Sequence, residues 1–313
     1  MTLLVAGYGR IAEEAWSEHI RRGGVLAQTF GKVCIAEPCP SARMRARRCV
    51  ESDHVVGDIV TACNAFDCDS ALVLAPPNIS VKMVEQLLEL GVRRLLVEKP
   101  FTLNPEELDC VDHLAERYAA SISVVQNYLY RPDLAFAISA IRDGVIGTLL
   151  GGELSTVDCA PWAGWGAEAD WRVKASSNPQ GVLGDKGYHL LYIVDALTRG
   201  CSLQHRLTDD RREWRAAACR EGVRWVLRAS WRAREGEGDH YTFRGDKGSI
   251  SILGTDLGKV TIRSLGLESC REFRVWGDDW WGYRGVISDF ILGMSESWRR
   301  HIDVANMISG GCR

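Results

Sequence analysis

Three short stretches of this 313-residue chain hold residues whose types and spacing suit chemistry. The first is Gly7-Tyr8-Gly9-Arg10-Ile11-Ala12, a G-x-G-x-x-A loop directly after the apolar run Leu3-Leu4-Val5-Ala6. Gly7 suits a tight turn, Gly9 lets the backbone approach a pyrophosphate, and Ala12 lets a helix pack closely on a strand. The N–H groups that open such a helix point at the phosphates, so the loop reads as a nicotinamide dinucleotide site. The second is Val97-Glu98-Lys99-Pro100, a charged pair directly after a buried strand. Lys99 suits a hydrogen bond to a substrate hydroxyl or carbonyl beside the nicotinamide, and the X-Pro bond suits a cis turn. An exposed ion pair at a strand end accounts for Glu98 and Lys99 equally well.

The third stretch is Gly181-Val182-Leu183-Gly184-Asp185-Lys186-Gly187-Tyr188-His189. Asp185 and His189 stand four residues apart, so a helical start puts both on one face. A His–Asp pair there can pass the proton that accompanies hydride transfer. A histidine alone is more often a satisfied structural residue; the aspartate and the surrounding glycines favour the functional reading.

Glu37 closes the second apolar run, in Ile35-Ala36-Glu37-Pro38. A carboxylate there accepts from the adenosine 2′-hydroxyl and repels a 2′-phosphate, which favours NAD. Its distance from the glycines exceeds the usual ~20 residues, and Arg43, Arg45, Arg47 and Arg48 follow closely. Those arginines keep NADP open as the cofactor, or form a solvated helix face.

The elements that must position these residues change character along the chain. Up to about residue 120, strands at Leu3–Ala6, Lys32–Ala36, Ser70–Ala75 and Arg94–Val97 alternate with helices at Ile11–Arg22, Ser41–Cys49 and Val81–Leu90. Asn104 as N-cap and Pro105 at the first helical position start another helix. This alternation gives an α/β fold, a Rossmann-type doubly wound parallel sheet with its ligand crevice beyond the carboxyl ends of the strands. Helices are expected at Pro132–Ile141 and Lys186–Leu197, and short alternating runs from Leu203 to Trp276 indicate a large, mostly antiparallel open sheet. The expected organisation is a dinucleotide-binding domain over 1–122 and an α+β substrate-binding and oligomerisation domain over 123–313.

Composition excludes several classes. The net charge of −3 gives no basic field for nucleic acid or an anionic membrane. No apolar stretch approaches the roughly 18 residues that span a bilayer. Eleven cysteines occur without a Cys-x-x-Cys, which argues for unpaired thiols in a reducing, cytoplasmic setting and against a metal site. Trp162 and Trp165 precede the histidine motif in a Gly-rich stretch and read as platforms for the C–H faces of a sugar ring. Arg172 reads as a contact for an oxygenated substrate, or as the partner of a nearby carboxylate. Trp280 and Trp281 read as core.

Together these residues resemble the Gfo/Idh/MocA family of oxidoreductases. Its anchors are Gly7-x-Gly9-x-x-Ala12, Ala75-Pro76-Pro77-Asn78, Glu98-Lys99-Pro100, Trp171-Arg172 and Gly181-x-Leu183-x-Asp185-x-Gly187-x-His189. The resemblance implies an NAD(P)-dependent enzyme acting on a sugar, cyclitol or related ketone. It implies that Lys99 sits by the nicotinamide and the reacting oxygen, Asp185 orients substrate and lysine, and His189 is the general acid/base. Ala75, Pro76, Asn78 and Glu98 would lie near the cofactor, and the C-terminal sheet would form a homodimer or homotetramer face. Gln180 replaces a glycine of the family pattern, and Tyr192 stands where an aspartate is common. These departures leave room for an imine reductase or an enzyme that recycles its cofactor; a dinucleotide-binding regulator is the reading from another class.

Overall fold

β1 (Thr2–Ala6) is apolar from Leu3 onward and buried along its whole length, as a strand covered on both faces requires. In the computed structural model, which describes residues 1–102, 104–159, 172–234, 236–254, 258–275, 279–294 and 296–310, it lies at the centre of the first sheet. β2 (Lys32–Ala36) and β3 (Val55–Val56) extend the sheet on one side. β4 (Ser70–Val73), β5 (Arg94–Val97) and β6 (Ser121–Val124) extend it on the other. The order β3-β2-β1-β4-β5-β6 is all parallel, the doubly wound arrangement expected from the alternating elements.

The helices of this part are α1 (Ser17–Ile20), α2 (Val25–Phe30), α3 (Pro40–Ala46), α4 (Ile59–Phe66), α5 (Pro77–Glu89) and α6 (Pro105–Arg117). The first helix runs from Arg10 to Ile20, but its middle, Ala12–Trp16, is a wide π turn. α5 starts earlier than the apolar period suggests, because Pro77 occupies its first turn, where a missing N–H costs nothing. Asn104 caps α6 as expected, its side chain accepting from the Glu106 N–H at 3.1 Å.

The second sheet has eight strands in the order β14-β13-β12-β11-β7-β10-β9-β8. They are β7 (Leu149–Val157), β8 (Ser202–Leu207), β9 (Glu213–Arg220), β10 (Val223–Ser230), β11 (His240–Gly245), β12 (Gly248–Leu253), β13 (Lys259–Ser264) and β14 (Leu267–Glu272). All neighbours pair antiparallel except β7 with β10. β7 precedes the stretch in which a sheet was expected, yet occupies the sheet's interior. Gly151 and Gly152 break its apolar alternation, and packing requires them. A Cβ on either would run into a neighbouring strand's backbone, Arg224 for Gly151 and Thr242 for Gly152. One face of the sheet carries the core, with Trp214, Trp225, Tyr241, Phe243, Ile250 and Ile252 all buried.

α7 (Pro132–Arg142), α8 (Tyr188–Thr198), α9 (Tyr283–Leu292) and α10 (Glu296–Ser309) complete the chain. Contacts divide it into two compact units, residues 1–125 with 287–298, and residues 126–286 with 299–313. The first division therefore falls at Val125/Gln126 rather than near 122, and a late segment returns to the first unit.

The second unit is organised around a buried cation. Arg131, 1% exposed, gives two hydrogen bonds to Asp133 at 2.8 and 3.1 Å and faces Asp239 at 3.7 Å. Its guanidinium also lies 5.0, 5.1 and 5.5 Å from the ring centres of Tyr128, Tyr241 and Trp280. Burial alone would lower the proton affinity of this arginine, but the surrounding tyrosines and Asp133 raise it. Arg131→Ala would strand the Asp133 carboxylate, and removing one partner of such a pair costs about 3–5 kcal/mol. Urea unfolding followed by tryptophan fluorescence checks this, since ten of the eleven tryptophans lie at or beyond Trp162. A loss below about 1 kcal/mol, the range of an exposed pair, would contradict it.

Candidate active site

In the first unit the glycine loop, the end of β2 and the end of β5 are tied together by two buried carboxylates. Gly7 has φ +100, and an added Cβ would sit 2.9 Å from the Leu74 carbonyl oxygen, so turn and packing both demand glycine. Gly9 is different. Its φ is ordinary and an added Cβ meets nothing within 4 Å, so no neighbour in the chain explains the glycine. Open space over a backbone that starts a helix is what a pyrophosphate needs, and the residues present fit a dinucleotide. Ala12 is fully buried, while Arg10 pairs with Glu14 at 2.5 Å on the helix surface and Ile11 is half-buried. Tyr8 is buried with its hydroxyl 2.7 Å from the Cys49 sulfur; burial first, then Cys49, pushes its pKa up.

Glu37 is buried at the end of β2, where it was expected. Its two oxygens accept from the Tyr8 N–H at 2.6 Å and the Cys39 N–H at 2.7 Å. The carboxylate thus joins the glycine loop to the β2 turn. Two of the following arginines are occupied within the chain. Arg43 donates to the Glu37 and Pro38 carbonyls at 2.8 and 2.7 Å, and Arg45 pairs with Glu13.

Glu98 is buried too, unlike a solvated ion-pair partner. It accepts from the Trp16 indole N–H at 2.9 Å and from the Lys99 backbone N–H at 2.9 Å. The carboxylate braces the lysine turn against the helix that follows the glycine loop. The Lys99–Pro100 peptide is cis. β4 ends at Val73, short of the expected Ala75, so Ala75 and Pro76 follow it, half-buried; Asn78 lies exposed in the first turn of α5.

In the second unit, Asp185 lies in a π turn, Leu183–Gly187, that runs into α8 at Tyr188. Single π turns are commonly found at functional sites. Asp185 is 7% exposed; it accepts from the Trp231 indole N–H at 3.3 Å and faces Arg172 at 3.6 Å. Arg172 therefore meets the motif's own carboxylate. Arg172 and Trp231 also line a cavity of about 220 Å³, together with Arg211 and Arg212. His189, 4% exposed, stacks on Tyr128 with ring centres 3.7 Å apart and planes 13° from parallel.

Lys186, between the aspartate and the histidine, pairs with Asp158 at 2.5 Å. Desolvation opposes its charge, but Tyr128, Asp158, Asp239 and Asp185 outweigh that and raise its pKa. Sequence reasoning did not single out Tyr128, Trp231, Lys186 or Asp158. Lys186 lay in plain view inside the motif; the other three come from distant segments that only packing brings near it. Tyr192 is buried, its hydroxyl 2.9 Å from His301 Nδ1, which also lies 3.1 Å from the Tyr188 hydroxyl. The departure at 192 is thus answered inside the helix packing. Trp162 and Trp165, read as substrate platforms, and Trp171 lie outside the described residues.

No helix among the described residues is long and apolar enough to cross a membrane. No curated protein matches the chain in sequence. Among solved structures, the fold is shared with a levoglucosan dehydrogenase in complex with NADH and levoglucosan, at 16% identity and TM-score 0.81, covering 99% of this chain and 95% of that one. It is shared with a 3-ketoreductase from Actinomadura kijaniata in complex with NADP and TDP-benzene, at 17% identity and TM-score 0.78, covering 99% and 96%. An inositol dehydrogenase homolog from Azotobacter vinelandii complexed with NAD+ is similar at 16% identity and TM-score 0.79, covering 99% and 94%. At such identities the likeness is one of fold. Residues 1–126 match the model GFO_IDH_MocA, described as an oxidoreductase family with an NAD-binding Rossmann fold.

Proposed function

We propose that this protein interconverts a secondary alcohol and a ketone on a sugar, cyclitol or sugar-like intermediate. The observation that carries the reading is a buried Asp185, held by Arg172 and Trp231, followed four residues on by a buried His189 stacked on Tyr128, in a chain whose residues 1–126 match an NAD-binding oxidoreductase family model. A bound nicotinamide supplies the hydride acceptor or donor. The Lys99 ammonium donates a hydrogen bond to the reacting oxygen. In oxidation His189 takes the hydroxyl proton; in reduction it returns one to the new hydroxyl. Asp185, anchored on both sides, orients the substrate. The levoglucosan dehydrogenase, 3-ketoreductase and inositol dehydrogenase homolog among the similar folds support a sugar-like substrate.

Glu37 supports NAD as the preferred cofactor, since a carboxylate at that point repels a 2′-phosphate. The internal partners of Arg43 and Arg45 support the same preference. Val226 and Leu253, exposed on the face of the second sheet opposite its core, support self-association as a homodimer or homotetramer, which sedimentation velocity decides; a single monomer peak would reject it.

Absorbance of NADH and NADPH against a panel of polyols and keto-sugars tests the reaction. Lys99→Ala and His189→Ala are each expected to lower turnover at least a hundredfold, within the usual reach of a positioned acid–base group of about 10²–10⁴. NADH formed one-for-one with ketone indicates net redox; product without net NADH indicates a recycled cofactor and overturns the reading. The two glycines separate fold from cofactor binding. Gly7→Ala is expected to destabilise the protein by about 1–3 kcal/mol, the cost of a strained backbone position. Gly9→Ala is expected to leave stability within about 0.5 kcal/mol while weakening NADH at least tenfold, about 1.4 kcal/mol. Fluorescence titration with NADH beside thermal unfolding reads both, and equal NADH affinity in Gly9→Ala would contradict the assignment.

A further inference from the structure

We propose that Tyr128 is the positioning residue for His189, holding the imidazole plane in which the proton is exchanged. The inference rests on the reading of His189 as the acid–base residue. The terminal torsion of a histidine is broad, so a side chain on a helix does not by itself aim one ring nitrogen. A general acid/base must nevertheless be held in hydrogen-bonding reach of its proton. Rotation about the Cβ–Cγ bond tilts the imidazole plane, and a parallel aromatic ring at 3.7 Å blocks that rotation.

Tyr128 can set that plane because its own is set. It belongs to a short 3₁₀ turn, Asn127–Tyr130, whose Asn127 amide donates to the Trp281 carbonyl at 3.1 Å. The Trp281 ring lies 6.4 Å from the Tyr128 ring, 26° from parallel. The Arg131 guanidinium, fixed by Asp133, lies 5.0 Å from the Tyr128 ring centre. The order of support runs Asp133, Arg131, Tyr128, His189. The ring also suits the charged intermediate, since an imidazolium formed on taking up a proton lies against an aromatic face. Among the described residues the Tyr128 hydroxyl makes no hydrogen bond, so the contact with His189 is made through the ring.

Tyr128→Phe keeps the ring and removes the hydroxyl; Tyr128→Leu removes the ring. With a substrate from the polyol panel, the Phe variant is expected to hold kcat within about twofold. The Leu variant should lose on the order of 10–100-fold in kcat, the scale of a misplaced catalytic group, with KM nearly unchanged. Tyr128→Met, which fills the volume with a flexible chain, takes its place if the Leu variant does not fold. In parallel, the His189 ring protons, identified by their loss in His189→Ala, should keep their ring-current NMR shift in the Phe variant and lose it in the Leu variant. A Phe variant as slow as the Leu variant, or a Leu variant whose loss falls wholly in KM, would overturn the proposal. Full turnover in His189→Ala would instead remove the acid–base reading, while the NMR shift still reports on the stack.

Discussion

A guanidinium with almost no exposed surface has to be answered from every side, and Arg131 is. Asp133 takes two of its N–H groups, Asp239 faces a third nitrogen, and three aromatic rings cover the rest. Each partner comes from a different place: the start of α7, the segment before β11, β11 itself, the 3₁₀ turn and the late tryptophan turn. A buried charge tolerates no partner out of place, because the cost of leaving it unpaired exceeds the gain from any one contact. The geometry of these segments is therefore mutually enforced. Tyr128 inherits its plane from this cluster, and His189 packs on Tyr128.

The first unit solves a related problem with carboxylates. Glu37 and Glu98 are both buried, and they accept hydrogen bonds from backbone N–H groups and one indole. Hydrogen bonds to a charged acceptor are the stronger kind. Each joins two chain ends that a parallel sheet brings together at its carboxyl edge. Glu37 ties the glycine loop to the β2 turn, and Glu98 ties the lysine turn to the helix after the glycine loop. The glycine loop and the lysine turn thus share one scaffold.

The two helical stretches that carry candidate chemistry each contain a π turn, Ala12–Trp16 and Leu183–Gly187. An extra residue per turn costs helix regularity and moves side chains off the α-helical register. Trp16, which closes the first, is the residue that reaches Glu98; Asp185, within the second, is the one held by Arg172 and Trp231.

Much of this was legible in the residues themselves. Glycine spacing after an apolar run, proline and asparagine at helix starts, and period-two runs are local signals, and local signals survive without a fold. They determined the parallel sheet, the place of the glycine loop after its first strand and of Glu37 after its second, and the aspartate and histidine at one helix start. They also determined that the second half is built mainly of antiparallel strands. Tertiary structure decided the rest. β7 enters its sheet through glycines that look like breakers until neighbouring backbones explain them. The buried place of Glu98 and its bond from a tryptophan 82 residues earlier are nowhere visible in the local run. Tyr192 reads as a departure from the family pattern until His301 meets it. The support of His189 by Tyr128 has no trace in spacing at all, because a ring contact across sixty-odd positions depends on where two segments pack rather than on either segment's sequence.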